Sequence, residues 1–277
     1  MILDMMEAPL VSIVIPTYNQ SRYLPITLDH VLNQDYKNME LIIVNDCSSD
    51  DTEEIIKEYL SSLKTEQMSR MDKYQDKGEV ESFLRSFSPR LPQNRVIKVL
   101  KNERNLGATK TYNRGFMESS GDYCTFIPSD DIPHPLMISR MVSMLEETGS
   151  DFVYADSIIV DDTGQIVRRL PMPDYNFSRC FGDWYHLGIA KLYRRSLHDV
   201  VGYYDEAYKL ANDYDMYLRF AQAGARFVHL PEILYSVRNH GPDRQKGQHS
   251  DENWKRMYEE STKCAKRARA WLEGKSL

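Results

Sequence analysis

Two adjacent carboxylates, Asp130 and Asp131, follow an uncharged aromatic and β-branched run, Tyr123–Ile127. Such a run reads as a buried strand, so the acids stand at its exit. Hard cations such as Mg2+ and Mn2+ take oxygen ligands and are often held by one or two carboxylates together with substrate phosphates. The competing reading is turn chemistry: the two acids start the turn that holds Pro133 and Pro135 and cap the helix beginning at Leu136. If a phosphate-bearing ligand binds, no glycine-rich loop cradles it. The first turn, Pro16-Thr17-Tyr18-Asn19, has no glycine, and neither G-x-G-x-x-G nor G-x-x-x-x-G-K-[ST] occurs in the chain. A divalent cation at Asp130 would do the neutralising instead.

The elements that must position these acids can be read from periodicity. Apolar runs at 11–16, 41–44, 96–100, 123–127 and 152–155 predict strands, with a hairpin turn at Asp161–Gly164. Helical spacing appears at Leu24, Leu28, Val31 and Leu32, at Ile55, Ile56, Tyr59, Leu60 and Leu63, over 108–118, and at Met137, Met141 and Leu145. Asp50 and Glu53 have capping-box spacing. Strand and helix therefore alternate, which predicts an α/β fold with a mostly parallel central sheet flanked by helices. In such sheets ligands sit beyond the carboxyl ends of the strands. The polar strand ends Thr17-Tyr18-Asn19, Asp46, Arg104-Asn105 and Asp130-Asp131 should gather along one edge. The polar stretch 64–94 reads as an insertion, partly helical and partly mobile, around an apolar cluster of Val80, Phe83, Leu84 and Phe87.

With 277 residues, 42% hydrophobic and 27% charged, the chain suits one large domain or two joined halves. A net charge of −6 argues against nucleic acid as a partner. Cys47, Cys124, Cys180 and Cys264 are far apart, so neither a disulfide framework nor a zinc site is expected, and a cytoplasmic setting is the default. Met1–Pro9 has no basic n-region of a signal peptide, and no apolar run approaches the roughly 20 residues of a membrane span.

The ordered stretches V-S-I-V-I-P-T-Y-N (11–19), E-L-I-I-V-N-D-C-S-S-D-D-T (40–52), N-L-G-A-T-K-T-Y-N-R-G (105–115), F-I-P-S-D-D (126–131), G-Y-Y-D-E (202–206), N-D-Y-D-M-Y-L-R (212–219) and Y-S-V-R-N-H (235–240) resemble the family-2 inverting glycosyltransferases of GT-A fold. The resemblance covers roughly 9–245 and implies a Rossmann-like nucleotide-sugar half, 9–131, and an acceptor half, 132–245. It implies that Pro16, Thr17 and Tyr18 lie along the nucleoside and that Asp46 binds the base edge, which suits a UDP- or dTDP-sugar. Asn105 and Gly107 would shape the pocket wall, with Ser129, Asp130 and Arg238 also in the nucleotide site. The metal, Mn2+ or Mg2+, would be held by Asp130, Asp131 and His240. The usual Asp-x-Asp-Asp is Pro128-Ser129-Asp130-Asp131 here, so its first acid is missing.

The resemblance further implies that Asp213 is the general base, at the start of a helix where the usual Glu-Asp is Asn212-Asp213. An acceptor hydroxyl is a poor nucleophile until a carboxylate takes its proton. The bland reading, a helix cap, competes for Asp213, and an i,i+4 pair with Arg219 accounts for Asp215. The implied activity is metal-dependent transfer of a sugar from a nucleotide-diphosphate sugar to a glycan, lipid-linked or protein hydroxyl, in cell-surface polysaccharide or glycan synthesis. Residues 241–249 read as a mobile lid, and Trp184 and Tyr185 as sugar-stacking or core aromatics. In the tail, Trp254, Met257, Tyr258, Ser261, Ala265, Ala268 and Leu272 share one helical face. Docking onto the catalytic domain is the favoured use of that face, with peripheral contact to an anionic membrane as the alternative. Rival readings are a catalytically silent nucleotide-sugar-binding module and a sugar-nucleotide pyrophosphorylase. The sequence leaves the oligomeric state open.

Overall fold

The computed structural model describes residues 8–63, 95–239 and 251–274 and, between 64 and 94, only the backbone of four short strands. Its frame is a nine-stranded sheet. Strands β1 (Val11–Thr17), β2 (Met39–Asn45), β7 (Val96–Lys101) and β8 (Tyr123–Phe126) run parallel in the order β7-β2-β1-β8. The sheet continues through β12 (Lys191–Arg194), β10 (Phe152–Asp161), β13 (Phe227–Asn239) and β9 (Ile132–Pro133), and β11 (Ile166–Leu170) pairs with the far end of β10. β12 lies antiparallel between β8 and β10, so β10 keeps the direction of the first four strands.

The period of two along the strands sorts side chains onto the two faces of the sheet. Ile13, Ile15, Leu41 and Ile43 pack with helices α1 (Leu24–Leu32), α2 (Thr52–Ser62) and α4 (Met137–Thr148). Val14, Ile42 and Val44 face the other way, towards α3 (Ala108–Met117), α6 (Asn212–Gln222) and α7 (Asp251–Leu272). A short α5 (Leu197–Val201) leads towards α6, and one π-helical turn, Ser178–Asp183, packs against α7. α3 sits close to the sheet because Gly115 faces Val14, whose Cγ1 a Cβ at that position would overlap.

Several sequence expectations change. The expected fifth strand and the first arm of the hairpin are one strand, β10, and none of β9, β12 and β13 was anticipated. In the insertion the described backbone is strand rather than helix: β3 (Gln67–Met68) pairs with β6 (Ser88–Pro89), and β4 (Met71–Asp76) with β5 (Glu79–Leu84). Two residues separate β4 from β5 in sequence, the second being Gly78, a hairpin signal that outweighs the apolar cluster. The Asp50–Glu53 capping box is absent: Asp50 Oδ1 accepts from Thr52, while Glu53 pairs with Lys57 and Lys101. On α7 the inward stripe includes Glu260, Ser261, Cys264, Ala265 and Ala268. Trp254, Tyr258 and Leu272, expected on that stripe, are each about half exposed or more. No described helix is long and apolar enough to cross a membrane.

Candidate active site

The carboxyl ends of β1, β2, β7 and β8 meet at one edge of the sheet, and the turns after β1 and β2 are tied to each other. Asn19 Oδ1 accepts from the Ser49 N–H at 2.8 Å, and the Asn19 N–H donates to Ser48 Oγ at 3.0 Å. Asn19 and Cys47 hold positive φ, 52° and 58°. Asparagine tolerates that region and cysteine rarely enters it, so these turns are over-determined by their surroundings.

A cavity of about 480 Å³ opens over these turns, lined by Pro16, Thr17, Tyr18, Asp46, Asn105, Gly107, Ser129 and Asp130 among others. Eight of the nine residues expected in the nucleotide site, all but Arg238, are thus brought together. Tyr18 is 45% exposed at its rim, whereas Thr17 Oγ1 is buried and has no hydrogen-bond partner among the described residues. Asp46 is buried and already engaged. Asn102 Nδ2 (2.7 Å) and the Leu106 N–H (2.8 Å) donate to its Oδ1, and the Gly107 N–H (2.9 Å) donates to its Oδ2. It therefore builds the pocket wall by holding the turn after β7 across the end of β2. Gly107 makes that turn with φ +84°, which a side chain would strain.

A second cavity, about 330 Å³, adjoins the first; Ala108, Tyr112, Pro128 and Asp130 line both. Its walls come from α3, the exit of β8, the start of α6 and the start of α7, with Asp131, Tyr204, Asn212, Asp213 and Trp254 among its lining. Asp130 therefore stands where the two cavities join, and Asp213 faces the second.

Asp131 and Arg238 are placed differently from the sequence expectation. Both carboxylate oxygens of Asp131 receive protein hydrogen bonds, from the Arg238 N–H (3.0 Å) and from Tyr235 Oη (3.2 Å). Buried in this way, it ties the exit of β8 to β13. Arg238 lines neither cavity. Its Nε donates to the Asp130 carbonyl at 3.1 Å, its guanidinium lies 5.2 Å from the Tyr23 ring centroid, and Nη1 is 3.7 Å from Asp162. His240 and the expected lid 241–249 lie outside the described residues. Among the described residues no three His, Cys, Asp or Glu side chains are gathered for a metal. Asp130 fits the other mode, a cation that reaches one protein carboxylate together with ligand phosphates.

Sequence reasoning missed the residue beside Asp213. Lys191 Nζ, in β12, lies 3.1 Å from Asp213 Oδ2 and donates to Tyr185 Oη at 2.6 Å, with only 1% of its side chain exposed. Burial pulls the Lys191 pKa down, and the Asp213 charge partly opposes that shift. Burial, then Asp213, pushes the Tyr185 phenol well up. The stretch G-I-A-K-L-Y-R-R showed an apolar run containing one lysine, but not which side chain it would meet. Asn212, standing where glutamate was expected, donates from Nδ2 to Thr109 Oγ1 at 3.0 Å and so joins α6 to α3. Asp215 pairs with Arg219 at 2.8 Å, as its spacing predicts, and with Arg267 of α7 at 2.6 Å. Tyr185 is a core partner of Lys191, and Trp184 lies 6.0 Å from Tyr258.

Known proteins share this architecture. The Glycosyl transferase family 2 profile matches residues 12–70 and 75–202. GlyG, a glycosyltransferase of Streptococcus pneumoniae, is 26% identical over 83% of this chain and 70% of its own. YwdF of Bacillus subtilis, an uncharacterized glycosyltransferase, is 30% identical over 84% of this chain and 76% of its own. Among solved structures, S. aureus TarS 1–349 in complex with UDP-GlcNAc superposes with a TM-score of 0.65 at 21% identity, over 90% of this chain and 64% of that one. A mannosyltransferase from Pyrobaculum calidifontis, in complex with GDP-Man and Mn2+, gives a TM-score of 0.65 at 18% identity, over 98% and 67%. At such identities the solved structures speak for a GT-A-like fold. The profile, running through most of the chain, together with the similarity to YwdF, shows that the chain belongs to glycosyl transferase family 2.

Proposed function

We propose that this protein transfers a sugar, with inversion, from a nucleoside-diphosphate sugar to an acceptor hydroxyl. One observation carries the reading: two adjoining cavities share Asp130, the first lined by the turns at the strand ends and the second by Asp213. The nucleoside lies along Pro16, Thr17 and Tyr18, which line the first cavity with Tyr18 exposed at its rim. Asp46 Oδ2, with one bond from the Gly107 N–H, keeps a lone pair for an imide N–H of a uracil edge. The diphosphate then reaches Asp130 and the sugar enters the second cavity. A cation held there by Asp130, with His240 as a further candidate ligand, would offset charge on the departing diphosphate.

Asp213 acts from the opposite side. It takes the acceptor hydroxyl proton as the oxygen bonds to the anomeric carbon, and the bond to the diphosphate breaks with its electron pair leaving on phosphate. Base and leaving group on opposite faces give inversion. That TarS is solved with UDP-GlcNAc and the mannosyltransferase with GDP-Man and Mn2+ supports a nucleotide-sugar donor and a divalent metal. Calorimetry with UDP, GDP and their sugars in the presence of Mn2+ tests the donor site. Asp130→Ala should abolish Mn2+-dependent binding while the protein stays folded; unchanged affinity would remove Asp130 from the site.

A further inference from the structure

We infer that Lys191 is a positioning residue for the reaction, its buried ammonium holding the Asp213 carboxylate fixed at the wall of the second cavity. The inference rests on Asp213 being the base. Asp213 is held by three donors: the Tyr214 N–H gives to Oδ1 at 2.7 Å, Lys191 Nζ lies 3.1 Å from Oδ2, and the Tyr185 hydroxyl also hydrogen-bonds the carboxylate. The carboxylate keeps a lone pair for an acceptor proton. Lys191 is fixed in turn. Its ammonium donates to Tyr185 Oη and lies 4.6 Å from the Tyr217 ring centroid and 5.3 Å from that of Phe126. Three elements, β12, α6 and the exit region of β8, therefore hold one cation against one carboxylate.

A lysine buried this completely is costly without a partner, and removing one member of a buried pair leaves the other uncompensated. The Asp213 carboxylate is 24% exposed and opens to the cavity, so only one side of the pair meets substrate. The other groups facing Asp213 do not replace the lysine. Tyr112, Tyr204 and Tyr217 have phenols raised by burial and stay neutral. Asp130 and Asp131 share the cavity and disfavour a further negative charge, and Lys209 reaches it from the loop before α6. The fixed position of the Asp213 carboxylate therefore depends on Lys191, a buried cation within hydrogen-bond reach of it.

Turnover and nucleotide affinity measured on the same variants separate positioning from folding. In Lys191→Met donor turnover, followed as nucleotide release from UDP-GlcNAc and GDP-Man with Mn2+, should fall roughly 10- to 100-fold in kcat, while nucleotide affinity changes little. Lys191→Arg should restore part of the turnover. Wild-type turnover in Lys191→Met, or an equal loss of turnover and nucleotide affinity, overturns the inference. Should Lys191→Met not fold, Lys191→Gln serves the same measurement. If neither neutral variant folds and Lys191→Arg does, the charge serves folding and the positioning role is overturned. Normal turnover in Asp213→Asn would instead overturn the base assignment beneath it, a separate result.

Discussion

His198 shows how one residue's surroundings set a property of the whole chain. It is 4% exposed, packed between the rings of Phe116, Tyr193, Tyr203 and Phe220. The Gly202 carbonyl can only accept, so Nδ1 carries the proton at 3.1 Å, and Nε2 accepts from Tyr193 Oη at 3.2 Å. Burial drives its pKa from 6.5 down to about 4. Above about pH 6.5 the ring is neutral folded or unfolded, and its full contribution to stability is present. As pH falls from 6.5 towards 4 the unfolded chain takes up a proton that the folded one refuses, so stability is lost, by about 3 kcal/mol over that window. Urea unfolding of wild type and His198→Gln at several pH values should show that extra slope in wild type alone. Parallel pH dependences would show that the buried imidazole does not drive it.

At the level of elements, the union of α6 with α7 bears on the site. α7 lies beyond the ordered motifs, yet its Glu260 is buried and accepts from the backbone N–H groups of Lys209 (3.0 Å), Leu210 (2.8 Å) and Ala211 (3.0 Å). Those residues form the loop leading into α6 and Asp213. Arg267 of α7 completes the clamp on Asp215. Glu260→Ala leaves buried N–H donors unpaired, typically about 1–3 kcal/mol per unsatisfied group. It should lower stability on that scale, loosen α7 to limited proteolysis and reduce turnover, while donor affinity, which the proposed function assigns to the β1, β2 and β7 turns and Asp130, stays close to wild type. Wild-type protease resistance would show that α7 is held by its apolar stripe alone.

For the molecule as a whole, a single sheet carries both cavities, so their relation is fixed by strand register rather than by a hinge. β12, lying between β8 and β10, brings Lys191 within reach of α6. The insertion leaves the chain after Leu63 and rejoins at Arg95, at the amino end of β7, on the edge opposite the strand ends. Arg95 closes that edge independently, donating to the carbonyls of Leu32, Gln34 and Tyr36. Replacing 64–94 with a short Gly/Ser link should therefore give a soluble protein that binds nucleotide as wild type does. β4 runs beside β11, so a loss of transfer alone would mark the segment as acceptor-binding. An insoluble or nucleotide-blind product would show that the sheet needs it.

The sequence by itself determined the parallel core, because its strands are continuous apolar runs separated by amphipathic helices, and both signals are local. It also pointed to the edge where a site is expected, since Thr17 closes a strand, Asp46, Asn105 and Asp130 each follow one, and parallel strands end on one edge. Local pattern could not supply β12: four residues, K-L-Y-R, carry too little periodicity to be read as a strand. Only the tertiary structure decided which polar groups are spent inside the protein and which face the cavities. Asp130 and Asp131 are neighbours in sequence, but Asp130 lines both cavities while Asp131 reaches only the second and has both oxygens bound by Tyr235 and Arg238, more than a hundred residues away. The same holds for Lys191 against Asp213 and for Glu260 against the loop before α6. A carboxylate's role depends on burial and on the donors that reach it, and those are set by contacts between distant parts of the chain.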